Sequence, residues 1–131
     1  MKFTIAIYCP PQSPASRRAL RFTQTVLQTG HTIERLFFYQ QGIYNAISSI
    51  VTPQDEFDIH LAWQTLIEEN NLDAVVCIAA ALRRGQLDKT EAKRYQKTAI
   101  TILPPWQLSG LGQLHEAIQN SDRFICFGGN A

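Results

Sequence analysis

The amino-acid sequence predicts an α/β fold: an open parallel β-sheet of about five strands with helices on both faces, in a flavodoxin-like three-layer sandwich. Two observations predict it. Short β-rich segments alternate with segments of helical periodicity along the chain. The segment at residues 73–78 is almost continuously apolar, as expected for a strand buried on both faces of a parallel sheet. With 131 residues, the chain fits one domain over residues 1–131.

The strands are predicted from short runs of β-branched and aromatic residues that end at turn residues. Pro10 and Pro11 follow the first run, and Pro104 with Pro105 is expected to end the fourth. In chain order, the predicted strands are residues 3–8, 33–38, 73–78, 99–103 and 123–127. The stretch at 40–45 is predicted to be a loop or a short turn.

Four helices are predicted from apolar residues at helical spacing and from residues that begin or end helices. The first begins within residues 13–16, which offer N-cap groups and a proline suited to a first turn, and it ends at Gly30. The others begin at Asp55 or Asp58, at Asp88 or Thr90, and at Gly112, and they end near Asn70, Tyr95 and Asn120.

Charge and hydropathy limit the function classes. The net charge is +1 and the basic residues are scattered, so we expect no stable nucleic-acid surface, while a weak or assembly-level RNA role stays open. No signal-peptide pattern follows Met1, and no apolar run is long enough to span a membrane. We therefore expect a cytoplasmic protein whose three cysteines are free thiols, without a metal site or a cofactor.

The three cysteines differ in their predicted positions. Sites in open parallel sheets form beyond the carboxyl ends of strands, where Cys9 and Cys77 are expected. Cys126 falls inside the fifth strand and is expected to be buried as a small apolar residue. Small side chains at 79–81 would leave room for a partner's sulfur beside Cys77, whereas the two prolines after Cys9 remove backbone donors. Cys77 is therefore the candidate nucleophile, and a plain core cysteine is the alternative at this position.

Arg83 and Arg84 follow the Cys77 segment. A cation near a cysteine stabilises the thiolate, which is the reactive form, and arginine also binds carboxylates of acidic partners. Thiolate stabilisation and partner binding are therefore the two candidate roles for this pair. A solvated turn is the alternative.

A competing interpretation comes from the spacing of Cys77 and Arg83, which matches the Cys-x5-Arg loops of cysteine phosphatases and arsenate reductases. Those loops wrap an oxyanion in backbone N–H groups. They need an internal glycine and a hydroxyl residue after the arginine, but the interior here is Ile-Ala-Ala-Ala-Leu and Arg84 follows. The match is therefore limited to two positions. A flavin phosphate site at Ser13 and Ser16 is also disfavoured, because that loop lacks glycine.

The remaining titratable and aromatic residues indicate no second site. Three histidines are isolated and are expected to be surface or packing residues rather than ligands: His31, His60 and His115. Three aromatic residues would form either an exposed patch between subunits or part of the core: Tyr39, Tyr44 and Trp106.

Several segments resemble members of the DsrE-like sulfur-relay family, in the order in which that family has them. They are residues 37–46, 55–58 with 62–64, 77–85, 108–112 and 121–127. The match covers most of the chain, and the segments with Tyr44-Asn45 and with Cys77 are the most specific. Departures at Cys9-Pro10-Pro11 and Pro104-Pro105-Trp106 affect the shape of two loops.

The resemblance implies a sulfurtransferase without a cofactor. In this chain the family's reactive cysteine corresponds to Cys77, which takes sulfur as a persulfide from a TusA-type donor and passes it to a TusE-type acceptor. The implied partners are TusB-like and TusC-like subunits in a heterohexamer, and a homo-oligomer could form when the chain is expressed alone. The implied product is 2-thiouridine at the wobble position of tRNA, while another branch of the family acts in sulfur oxidation. A catalytically silent structural subunit remains the alternative.

Overall fold

Five parallel strands form one sheet in the order β4-β3-β2-β1-β5 in the computed structural model, which describes residues 1–128. The strands are β1 Lys2–Ile7, β2 Thr32–Phe38, β3 Ala74–Cys77, β4 Trp106–Ser109 and β5 Arg123–Phe127. The helices are α1 Pro14–Gln28, a 3-10 helix Gln40–Ala46, α2 Ile59–Asn70, α3 Ile78–Arg83, α4 Lys89–Arg94 and α5 Gly112–Gln119. The predicted parallel α/β fold with helices on both faces is confirmed.

The helices begin where side chains satisfy free backbone N–H groups. Ser13 accepts a hydrogen bond from the Ala15 amide at the start of α1. Asp58 caps α2 and Asp88 caps α4 in the same way, through the amides three residues on. Each observed cap lies among the residues predicted for it, and the structure selects Ser13 from residues 13–16, Asp58 over Asp55, and Asp88 over Thr90.

Two features of the chain differ from the sequence-based prediction. The fourth strand was predicted at residues 99–103, but it is Trp106–Ser109, which begins directly after the two prolines. Ile102 instead forms one isolated antiparallel bridge with Ile47, and its amide donates to the Leu87 carbonyl. Prolines are tolerated just before an edge strand, because no amide of theirs is needed in the sheet. The second difference is α3, a short helix that the sequence analysis did not predict.

The two faces of the sheet are packed in different ways. One face is apolar and packs on α1 and α2; Phe38 of β2, for example, contacts Trp63 with ring centroids 5.4 Å apart. The opposite face is joined to α5 by polar contacts at its amino-terminal half. Arg35 donates to the Gln113 carbonyl at 2.8 Å, and Thr4 donates to the Ala117 carbonyl at 3.1 Å. Alternate residues of a strand point to opposite faces, so these two contacts define the α5 face.

Gly42 of the 3-10 helix lies against the carboxyl end of β1. A Cβ atom at this position would lie 1.8 Å from the Ile7 carbonyl oxygen and 3.2 Å from the Tyr8 Cα. Both neighbours are backbone atoms and cannot move aside as a flexible side chain can. Only glycine therefore allows the 3-10 helix to pack at this distance.

We predict that Gly42→Ala lowers the free energy of unfolding by about 1–3 kcal/mol or more, because overpacking against backbone forces the two segments apart. Chemical denaturation followed by circular dichroism measures the change. Gly110→Ala is the matched control, since a Cβ there meets nothing within 4 Å. Equal stability of both variants would contradict the close packing of Gly42.

His60 provides a test of pH dependence. Its half-buried ring stacks on Trp106 at a centroid distance of 5.0 Å, and burial lowers its pKa from the ordinary 6.5, against a smaller opposing effect of Asp58. Below about pH 6.5 the unfolded chain therefore binds a proton at His60 more readily than the folded chain does. The free energy of unfolding falls as the pH is lowered. We predict that His60→Phe, which keeps a ring for stacking, reduces this loss between pH 7 and pH 5. The same loss of stability in His60→Phe and wild type would contradict this role of His60.

Candidate functional site

The carboxyl edge of the sheet brings together segments that are distant in sequence. Tyr8 and Cys9 follow β1, Tyr39 and the 3-10 helix follow β2, and Cys77 is the last residue of β3. Cys77 is also the N-cap of α3, with an extended backbone. Parallel sheets place their sites at this edge, so the position predicted for Cys77 agrees with the fold.

Cys77 is 1% exposed and belongs to the main core cluster. This corrects the expectation that small neighbours leave the thiol open to a partner. The reason is that β3 is an inner strand, paired with β2 on one side and with β4 on the other, and all four of its residues are buried. Ala79, two residues on, is exposed, so the thiol lies one layer below the surface.

Tyr8, Tyr39 and Cys77 form a row on the α5 face of the sheet. Ile7 pairs with Phe38, and Phe38 pairs with Val76. Continuing this register by one residue places Tyr8 beside Tyr39 and Tyr39 beside Cys77, at strand spacings of about 4.8 Å. The rings of Tyr8 and Tyr39 meet edge to face at 5.3 Å, which confirms that they share a face.

The two arginines lie at the far end of α3 from Cys77. Six helical residues separate the ends of this helix by about 9 Å. Arg84 donates to the Ala80 carbonyl of its own helix, and Arg83 is exposed. Thiolate stabilisation by either side chain and partner binding by Arg83 stay predictions.

The Cys-x5-Arg interpretation does not fit the backbone after Cys77. Residues 78–83 form a helix that starts immediately after Cys77 instead of a loop that wraps an anion. Nothing in this segment forms the oxyanion cradle that phosphatase chemistry needs.

Cys9 is buried beside the carboxyl end of β5. Its Cβ lies 2.7 Å from where a Cβ of Gly128 would be, and Gly128 has φ +79°. Burial raises the pKa of the Cys9 thiol, while a hydrogen bond from Ser13 and the charge of Arg18 act in the opposite direction. The thiolate of Cys9 is therefore disfavoured.

Cys126 was expected to be buried, and this prediction is wrong. The thiol is exposed because β5 is an edge strand, and Phe124 on the same face is 37% exposed. Partial burial still raises the pKa of Cys126. Sequence alone could not show this, because an apolar strand segment does not reveal its place in the strand order.

Asn45 connects three segments at this edge and was identified by sequence only as part of a family-like motif. The side chain is fully buried. Its amide oxygen accepts a hydrogen bond from Ser16 of α1 at 2.7 Å, and its amide nitrogen donates to the carbonyls of Cys9 and Gly42 at 3.1 and 3.0 Å. All these groups lie within the core, where each would otherwise lack a partner.

The remaining aromatic candidates pack in the core or against it. Trp106 is buried, so it does not belong to an exposed aromatic patch, while Tyr39 and Tyr44 are half-buried against the core. Among residues 1–128, no group of three or more His, Cys, Asp and Glu side chains is arranged to hold a metal ion. Within the same residues, no helix has both the length and the apolar character needed to cross a bilayer.

We predict that Asn45→Ala lowers the free energy of unfolding by about 3 kcal/mol, because it leaves two carbonyls and a hydroxyl unsatisfied in the core. Denaturant unfolding measures the change. Asn70→Ala is the control, because the hydrogen bond of Asn70 to the Leu66 carbonyl is exposed and its loss should cost less than about 1 kcal/mol. Similar effects of the two substitutions would show that the buried amide has no special role.

The comparisons with known proteins agree with this geometry. The model of the DsrE/DsrF-like family matches residues 1–127. The chain is 59% identical over 130 residues to a protein of Pseudomonas aeruginosa named sulfurtransferase TusD homolog, with 99% of each chain covered. It is 41% identical to the sulfurtransferase TusD of Cronobacter sakazakii, with 97% of this chain and 100% of that protein covered.

Two further matches extend the comparison. A protein of Allochromatium vinosum that carries the name DsrE is 45% identical over 129 residues, with 98% and 99% of the two chains covered. The crystal structure of the YchN protein from E. coli has a TM-score of 0.74 at 14% identity over 96% and 97% of the chains, so it shows a shared fold. The sequence-based predictions of the family, the fold and a sulfurtransferase are confirmed by these matches. The chain belongs to the DsrE/DsrF-like family.

Proposed function

We propose that this chain is a TusD-type sulfurtransferase subunit in which Cys77 carries sulfur as a persulfide. A TusA-type protein supplies the sulfur and a TusE-type protein accepts it, within a complex that also contains TusB-like and TusC-like subunits. The pathway lies in the cytoplasm and ends in 2-thiolation of the wobble uridine of tRNA. The observation that carries the proposal is the position of Cys77 at the carboxyl end of an inner strand in a chain whose full-length relatives are named sulfurtransferases.

A comparison of the three thiols supports Cys77. Burial raises the pKa of Cys9 and of Cys126, so both are disfavoured as thiolates. Cys126 also lies on the edge strand with its thiol exposed, so a persulfide there would be open to solvent. Cys77 is the thiol at the point where β3 gives way to α3, the usual place for chemistry in this fold class.

The transfer step is an exchange between sulfur atoms. The Cys77 thiolate attacks the outer sulfur of the donor's persulfide, R–S–SH. A new S–S bond forms to Cys77, the bond between the donor's two sulfurs breaks, and the electron pair leaves with the donor as a thiolate. The proton stays on the outer sulfur, so Cys77–S–SH and R–S⁻ are the products and no external oxidant is needed. The acceptor cysteine thiolate then attacks the outer sulfur of Cys77–S–SH in the same way, and Cys77 leaves as a thiolate.

The burial of Cys77 fits a carrier of an unstable group. A persulfide below the surface is protected from reductants and from water, whereas one on an exposed thiol reacts with any passing thiol. The half-buried neighbours Ser109 and Tyr39 and the exposed Ala79 surround it. A partner therefore reaches the sulfur after side chains in one layer move, without unfolding of the sheet.

Arg83 is proposed to contact a partner. It lines a groove of about 650 Å³ together with Tyr95 and Lys97. The lining contains two cations and no acidic side chain, so an acidic segment of a neighbouring subunit or of a relay protein complements it.

Intact mass spectrometry after incubation with a cysteine desulfurase, cysteine and a TusA-type carrier tests the proposal. Wild type is expected to gain a reductant-sensitive adduct of about 32 Da per sulfur, and Cys77→Ser is expected to gain none. Cys9→Ser and Cys126→Ser are the matched controls and should keep the adduct. Peptide mapping then assigns the modified residue directly.

Other outcomes have definite meanings. An adduct that persists in Cys77→Ser would move the chemistry to another cysteine and contradict the proposal. No adduct in wild type, with the TusB-like and TusC-like subunits present, would indicate a catalytically silent subunit. If the adduct forms but a TusE-type protein does not receive the sulfur, the sulfur-oxidation branch that includes proteins named DsrE is favoured over tRNA thiolation.

A further inference from the structure

The α5 face of the sheet has two halves with different covers. The hydrogen bonds between this face and α5 lie at Thr4 of β1 and Arg35 of β2. Tyr8 and Tyr39 lie on the same face, each four residues further along its strand, which corresponds to about 13 Å. The bonds that hold α5 to the sheet are therefore remote from the carboxyl edge, where tyrosine side chains stand instead.

The two tyrosines pack together above the buried layer that contains Cys77. Their rings meet edge to face at 5.3 Å, and Tyr39 contacts Phe37 in the same manner at 6.3 Å. Both tyrosines are half-buried, whereas Phe37 and Cys77 are 0% and 1% exposed. Tyr39 is the register neighbour of Cys77, so its ring is part of the layer that separates the thiol from solvent.

The phenol groups of the two tyrosines make no hydrogen bond within the described residues, and Tyr8 lies close enough to Cys126, Tyr39 and Cys77 for their charges to act on it. No hydrogen bond to the hydroxyl of Tyr8 or Tyr39 occurs among residues 1–128. Burial, followed by the nearby groups of Cys126, Tyr39 and Cys77, raises the pKa of Tyr8. The Tyr8 phenol therefore stays protonated and keeps its O–H available as a donor.

We propose that Tyr8 and Tyr39 are positioning residues for sulfur transfer, whose rings close over Cys77 and whose hydroxyls donate hydrogen bonds to the outer sulfur of its persulfide. This inference rests on the proposed function of Cys77. After transfer, Cys77–S–SH loses its proton to solvent and leaves an anionic outer sulfur in a largely apolar layer. A buried anion is costly without donors, and two phenolic O–H groups supply them without adding a charge.

The same arrangement orients the sulfur for the acceptor. An acceptor thiolate attacks the outer sulfur along the line of the S–S bond, from the solvent side, once that sulfur has taken a proton back from solvent, and the electron pair of the broken bond leaves with Cys77 as a thiolate. Hydrogen bonds from Tyr8 and Tyr39 would hold that sulfur under the tyrosine layer, which is the thinnest cover between Cys77 and solvent. Displacement of one ring then opens the path while the other hydroxyl remains bonded.

The test uses Tyr8→Phe, Tyr39→Phe and the double variant, which keep the rings and remove only the hydroxyls. Tyr44→Phe is the matched control, because Tyr44 is half-buried like the other two tyrosines but lies in the 3-10 helix, outside the row that contains Cys77. Each protein is incubated with glutathione persulfide as the sulfur donor. The fraction of Cys77 persulfide is followed by peptide mass spectrometry. The pH profile for iodoacetamide alkylation of the outer sulfur of that persulfide is measured in parallel. Thermal unfolding confirms that the variants are folded.

We expect the double variant to hold at least about 10-fold less Cys77 persulfide at equilibrium than wild type, since a hydrogen bond to a charged group contributes at least that factor. The pH profile for alkylation of the outer persulfide sulfur should move to higher pH, a change that a merely structural role would not produce. Wild-type behaviour of the double variant would overturn the assignment of the tyrosines while leaving Cys77 as the carrier. Absence of the persulfide from wild type would remove both the assignment and the proposed function.

Discussion

The side-chain amide of Asn45 is the contact on which the carboxyl edge of the sheet depends. It is fully buried and links the Ser16 hydroxyl of α1, the carbonyl of Cys9 after β1 and the carbonyl of Gly42 in its own 3-10 helix. Loops that leave parallel strands carry backbone polar groups into the core, and these need partners. A single planar amide, with one acceptor and two donor hydrogens, provides them for three segments.

This contact determines where the candidate site can form. The 3-10 helix approaches β1 so closely that only glycine fits at position 42. That approach fixes the backbone just after β1, at Tyr8, and just after β2, at Tyr39, which directly precedes the helix. The two tyrosines therefore emerge from the sheet at one level, beside the end of β3. Their alignment with Cys77 results from backbone packing that involves none of the three side chains.

The asymmetry of the two sheet faces separates stability from chemistry. The face toward α1 and α2 is closed by large apolar side chains such as Trp63 and Phe38. On the other face, α5 is held by hydrogen bonds to Thr4 and Arg35, and Arg35 also pairs with Asp73 at 2.7 Å. These polar anchors lie near the amino ends of the strands. Small or aromatic side chains cover the carboxyl half of that face. They can move without separating α5 from the sheet.

The fold class followed from local patterns, and the errors have a common physical origin. Residues 99–103 have strand-like composition, yet the backbone there is held by the Leu87 carbonyl and one bridge to Ile47, and β4 forms beyond the prolines. Cys126 lies in the strand predicted for it, but its exposure depends on β5 being at the edge. In both cases the local pattern was read correctly, and the pairing with distant segments decided the result.

The sequence by itself determined the alternation of strands and helices, the short segments in which the helix caps lie, and the presence of a cysteine at the end of the third strand, because each depends on residues close together in the chain. The tertiary structure decided that Cys77 is buried and that Tyr8 and Tyr39 stand beside it. The physical reason is that neighbours across a parallel sheet are set by strand order and register, which arise from packing among segments separated by 30 residues or more.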